Sequence, residues 1–142
     1  MKRPIATIAV AIIMITSFNA FATNKGNPLI TFKSAEIINT YIEVATLGSV
    51  EMNKFLFAND FEYQNAANGH TFNRKEYIKF LEKNEGLQYN CETSYKILDE
   101  NAQACLAKTT MKFKNFTRID YVTLNQTADG WKVSKIVTSY QK

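Results

Sequence analysis

The stretch Thr40–Asn65, TYIEVATLGSVEMNKFLFANDFEYQN, decides the fold. Its opening continues a helix: Ile37, Ile38, Tyr41, Ile42 and Ala45 recur at the spacing that stacks side chains on one helical face. Ser34 is placed to cap that helix, because its side-chain oxygen can accept from an unpaired N–H of the first turn. Gly48 supplies the left-handed residue on which helices commonly stop. Ser49 then caps a second, shorter helix with Met52, Phe55 and Leu56 as its buried face. From Phe61 to Gln64 the pattern changes from helical to alternating, which reads as a strand.

Downstream, Asn68-Gly69 is a hairpin signal that turns the chain back toward Phe72. Asn73 followed three residues later by Glu76 forms a capping box, with Phe72 and Tyr77 placed to clasp the first turn. The helix it opens has a stripe of Tyr77, Ile78, Phe80 and Leu81 and stops at Gly86. Four long strands follow, at 87–98, 103–114, 116–126 and 131–140, rich in Tyr, Thr, Val, Ile and Phe. The expected fold is therefore α+β, with three N-terminal helices packed on a curved antiparallel sheet, a cone with an inner face.

At the other end of the chain, Met1-Lys2-Arg3 precedes an apolar run from Ile5 to Phe18 and an Ala20-Phe21-Ala22 cleavage pattern. These are the three regions of a secretory signal peptide, and the run is shorter than the ~20 residues of a spanning helix. The expectation is a signal peptide over 1–22, cleavage between Ala22 and Thr23, and one domain over 23–142 that is periplasmic or secreted with no membrane segment. Losing Lys2 and Arg3 lowers a formal charge that is only +4 for the whole chain. That excess is too small and too scattered for nucleic acid or an anionic surface. Lys108, Lys112 and Lys114 at strand spacing read as a solvated outer face.

Metal and cofactor chemistry have little to work with. His70 is the only histidine, and it follows a turn, where an exposed side chain is the expectation. No glycine-rich phosphate loop or nucleophile elbow is present. Cys91 and Cys105 fall on two strands joined at Asp99-Glu100-Asn101. A hairpin turning there sets Cys91 nearer Thr109, roughly four to six residues out of register with Cys105, too far for a disulfide at about 3.3 Å per residue. Two buried free thiols are expected.

The segments YIEVATLGSVEMNKFLFANDFEY, FNRKEYIKFL and FTRIDYVTLNQTADGWKVSKI resemble the nuclear transport factor 2-like superfamily, whose fold is also called cystatin-like. Within it, the exported group named putative lumazine-binding is the most similar. The superfamily also contains ketosteroid isomerases and polyketide cyclase-like enzymes. In the isomerases a tyrosine in a similar Y-I-E-x-x-x-x-G run donates to the developing enolate oxygen, and that position here is Tyr41. A protonated aspartic acid after an isoleucine is their second donor, and Ile119-Asp120 is similar. Such donors in a dry site supply a large part of catalysis.

The resemblance breaks at the base. Counting forward from Tyr41, the proton-abstracting aspartate is replaced by Asn65, which cannot accept and return a proton at neutral pH. The leading expectation is a non-enzymatic domain that binds a small apolar or planar ligand without cofactor or metal, through Tyr41, Asn65, Asp120, Phe116 and Val122. If Asp120 faces inward, strand alternation turns Phe116, Val122 and Leu124 inward with it. Two alternatives stand beside that reading. One is an isomerase- or cyclase-like enzyme using Tyr41 and Asp120 as oxyanion donors. The other is a structural module that forms a homodimer through its sheet face.

Overall fold

The computed structural model describes residues 26–142, so the signal-peptide and cleavage readings lie outside the described residues. Helix α1 (Ser34–Leu47) leads to a single helical turn, α2 (Asn53–Leu56). Strands β1 (Phe57–Asn65) and β2 (Thr71–Asn73) form a hairpin, and helix α3 (Arg74–Lys83) follows. The meander is β3 (Glu92–Glu100), β4 (Ala104–Lys112), β5 (Thr117–Thr127) and β6 (Gly130–Gln141). All six strands join one sheet in the order β2-β1-β6-β5-β4-β3.

Two parts of the expected architecture need correction. The sheet is mixed rather than antiparallel, because β1 runs parallel to β6 while every other neighbouring pair is antiparallel. Alternation within β1 says which side chains face inward, but not which way it runs beside a strand far away in sequence. A parallel neighbour needs only a long crossover, and the chain between Asn65 and Gly130 supplies one. The helices, moreover, are not all N-terminal: α3 comes after the β1–β2 hairpin and packs on those two strands.

Local signals account for most of the element ends. Gly48 stops α1 at φ 65°, and a side chain there would lie 2.5 Å from the Gly86 nitrogen. At α3 the capping box closes both ways, with the Glu76 N–H donating to Asn73 Oδ1 at 2.9 Å and the Asn73 N–H donating to Glu76 Oε1 at 3.0 Å. Two cap assignments differ. Lys33 holds the cap position of α1, while the Ser34 hydroxyl donates to the Glu100 carboxylate. Ser49 donates to Glu51, and the second helix is cut to one turn because β1 begins directly after Leu56.

Register across the sheet sorts its inner face into rows. Asn65, Thr138, Asp120 and Thr109 lie side by side from β1 to β4. One row deeper come Tyr63, Ile136, Val122 and Ala107, which are buried. One row toward the open end come Tyr140, Arg118 and Met111. Ile37, Ile38 and Tyr41 of α1 close over the middle of this face with no exposure at all, so the cone is filled there. Cys105 pairs with Glu100, whereas Cys91 lies one residue before Glu92, which pairs with Lys112. The two cysteines are free, Cys105 buried and Cys91 only half-buried.

Candidate functional site

Asp120 sits at the centre of the polar row and is completely buried. A buried carboxylate needs its acceptor sites filled, and four donors fill them. Tyr41 Oη donates to Oδ2 at 2.5 Å and Thr138 Oγ1 to Oδ1 at 2.7 Å. Arg118 adds Nε to Oδ1 and Nη2 to Oδ2, both at 3.0 Å. This is the bidentate geometry in which guanidinium and carboxylate match. The Thr109 hydroxyl also donates to the Asp120 backbone carbonyl at 3.3 Å.

The electrostatics follow from that packing. Burial, reinforced by the charge of Asp120, pushes the Tyr41 phenol well above its ordinary value, so it remains a neutral donor. Burial is the largest influence on Arg118 and works against its charge, but the charge and hydrogen bonds of Asp120 together with Tyr41 and Tyr77 outweigh it, and the guanidinium is held protonated beyond its ordinary range. Burial also raises Tyr77 and Tyr63. Asp120 thus stands as an acceptor with every lone pair engaged, and the Tyr41 proton is spent on it. Neither Tyr41 nor Asp120 is among the residues that line the cavity at the mouth of the cone.

Open space begins one row outward. A cavity of about 240 Å³ lies at the mouth of the cone. One part of its wall carries Tyr63, Phe72 and Phe80, and another carries Tyr89 and Tyr140. The first wall is a continuous stack, with Tyr63 and Phe72 rings 5.7 Å apart and Phe72 and Phe80 rings 6.0 Å apart. The second is braced from behind, since Phe116 stacks on Phe113 at 4.6 Å and meets Tyr140 edge-on at 5.9 Å. Polar groups enter from Asn65, Asn68, His70 and Arg118. Arg118 therefore joins the two regions, with one edge on Asp120 and only 14% of its side chain exposed.

Of the five residues singled out from the sequence, the structure brings Tyr41 and Asp120 into contact and sets Asn65 in the cavity wall. Val122 is in the core, and Phe116 is a half-exposed brace behind Tyr140. Arg118 was not among them. Its signal was present: it precedes Asp120 by two residues, which on a strand is the same face, so it is the natural counter-ion for a buried aspartate. His70, expected to be idle, contributes to the cavity rim.

A six-stranded curved sheet carrying helices over one face and a cavity at its open end defines a nuclear transport factor 2-like domain. The chain belongs to the family described as putative lumazine-binding, whose model matches residues 33–138. Solved structures support the same fold at low identity. A nuclear transport factor 2-like protein of unknown function from Silicibacter pomeroyi is similar with a TM-score of 0.62 at 12% identity, covering 75% of this chain and 92% of that one. A protein of unknown function from Pectobacterium atrosepticum gives a TM-score of 0.64 at 14% identity, covering 76% and 88%. A third, from Cytophaga hutchinsonii, gives 0.62 at 12% identity, covering 74% and 93%. No curated protein matches the chain in sequence.

Proposed function

We propose that this protein is an exported, non-enzymatic domain that binds a small planar ligand in the mouth cavity. The observation that carries this reading is the division between a saturated centre and an open, aromatic-walled space one row away. The cavity is smaller than the ~300 Å³ at which drug-sized pockets begin, which limits the occupant to one or two fused rings. The family description makes lumazine, a bicyclic ring, the first compound to try. Asn65 touches that ligand directly, Asp120 acts from behind by fixing Arg118, Tyr41 bonds Asp120 without reaching the ligand, Phe116 holds Tyr140 in place, and Val122 stays in the core below.

Isothermal titration of the mature domain with lumazine and other planar bicyclic compounds tests the reading. Saturable one-site binding that is lost in Tyr140→Ala supports it. Turnover of ketosteroid or dehydratable substrates that vanishes in Tyr41→Phe would instead establish the isomerase-like alternative. Against that alternative stands the engagement of the Tyr41 hydroxyl and of all four Asp120 acceptor sites. Export is tested by the intact mass of the protein from the periplasmic or secreted fraction, which should begin at Thr23.

The outer face of the sheet favours a second, compatible role as a homodimer surface. Tyr121 is 38% exposed there, flanked across the ladder by Val137 on one side and Lys108 on the other. Light scattering at micromolar concentration tests it, with a strict monomer counting against the role.

A further inference from the structure

We propose that the ligand of the mouth cavity is a planar aromatic monocarboxylate, an inference that rests on the binding reading above. It follows from which hydrogen-bonding capacities are already used. Asn65 Oδ1 accepts from the Ala67 N–H at 3.0 Å, and Asn68 Oδ1 accepts from the His70 N–H at 2.9 Å. Each amide carbonyl is thus tied to its own turn by one bond, while neither NH2 group meets an acceptor among the described residues, so the free capacity of both asparagines is weighted toward donors. Arg118 turns its Nε and Nη2 hydrogens to Asp120. Its other fork, made by Nη1 and the second Nη2 hydrogen, meets no acceptor among the described residues.

The amide and guanidinium groups lining the cavity therefore offer free donors, beside tyrosine hydroxyls and the His70 ring that can act either way. A free guanidinium fork matches the two oxygens of a carboxylate, whereas a lone carbonyl engages only one of its hydrogens. The aromatic wall of Tyr63, Phe72 and Phe80 fits a flat ring, to which stacking adds. One negative charge is the limit of what the site suits. Asp120 already neutralises Arg118, so a phosphate ester with two charges would face the buried carboxylate with no lysine or second arginine lining the cavity.

Isothermal titration with a naphthalene carboxylate, its primary amide, cyclohexanecarboxylate and lumazine separates the outcomes. The expected result is that the aromatic acid binds at least tenfold more tightly than its amide and than the aliphatic acid. The decisive variant is Asn65→Asp with Asn68→Asp. Aspartate keeps the turn acceptor in each case but replaces a free donor with an acceptor, so folding is preserved. That variant should lose at least tenfold in affinity for the acid while its weak affinity for the amide stays the same. Equal binding of acid and amide, or undiminished acid binding by the double variant, overturns the carboxylate inference and leaves the binding reading standing. Failure of every compound, lumazine included, overturns both.

Discussion

The Tyr41–Asp120 centre and the aromatic mouth are built on adjacent rows of one sheet face, yet their chemistry is opposite. In the centre, three side chains satisfy one carboxylate, Tyr41, Asp120 and Thr138 are fully buried, and only the outward fork of Arg118 is left for a ligand. At the mouth, Tyr140 is 46% and Phe80 43% exposed, and several donors lack partners. The difference teaches that similarity to a catalytic pair of residues is not similarity of site. A tyrosine and an aspartate create an oxyanion hole only when a void separates them from a substrate. Here Arg118 inserts between the pair and the open space, converting the aspartate from a prospective donor into an acceptor.

Arg118 is the shared element, so removing it should give the largest effect. Arg118→Ala leaves Asp120 buried without its cation, and the expected loss of stability in urea unfolding is about 3–5 kcal/mol. Ligand binding should vanish as well. If the variant unfolds like wild type, the centre is not the closed unit described above. Tyr41→Phe comes next. It keeps the ring but removes a hydrogen bond to a charged group, for about 1.5–3 kcal/mol. Affinity at the mouth should stay within a factor of two or so of wild type, because Tyr41 touches no ligand. A parallel fall in affinity would erase the distinction between the regions.

Much of this arrangement is written locally in the chain, and what is not depends on distant encounters. Gly48, the Asn73–Glu76 capping box and the inward phase of Asp120 and Val122 all act over a few residues, and the structure reproduces them. That the thiols are free is likewise legible, since strand rise alone separates Cys91 from Cys105, but the expected burial of Cys91 is not met, because it lies just before β3 and is half-buried. The direction of β1 beside β6 is not legible, because the two strands are far apart in sequence. The cavity is harder still. It joins Asn65 from the end of β1, Tyr89 from the loop after α3 and Arg118 from β5, and only folding brings them together. Of these cavity residues, Arg118 alone carries a local mark in the sequence, two residues before a buried aspartate on the same strand face.

Alkaline pH distinguishes the regions more gently. Tyr41, Tyr63 and Tyr77 are all raised, first by burial, so the folded chain holds protons that the unfolded chain releases. Stability is then fully present below about pH 10 and declines as pH rises beyond it, because the unfolded state binds fewer protons. Tyrosine absorbance during a pH titration should show these three groups ionising only as the protein unfolds. Early ionisation of all tyrosines while the fold persists would mean that the centre admits solvent.

The smallest structural effect is expected from Asn65→Asp, and it is the most pointed comparison of the two regions. Aspartate can accept from the Ala67 N–H as asparagine does, so stability should change by no more than about 0.5 kcal/mol. The substitution also puts a carboxylate where the isomerases carry their base. Restoring the base alone should produce no isomerisation of a ketosteroid, because the reacting oxygen would find neither Tyr41 nor Asp120 within reach. A proton abstracted at the mouth leaves an enolate whose charge must be stabilised by donors already aimed at it. The two candidates behind Arg118 are bonded to each other. Isomerisation by Asn65→Asp that disappears in Asn65→Asp with Tyr41→Phe would show that the centre opens to the cavity, and that the two regions form one active site.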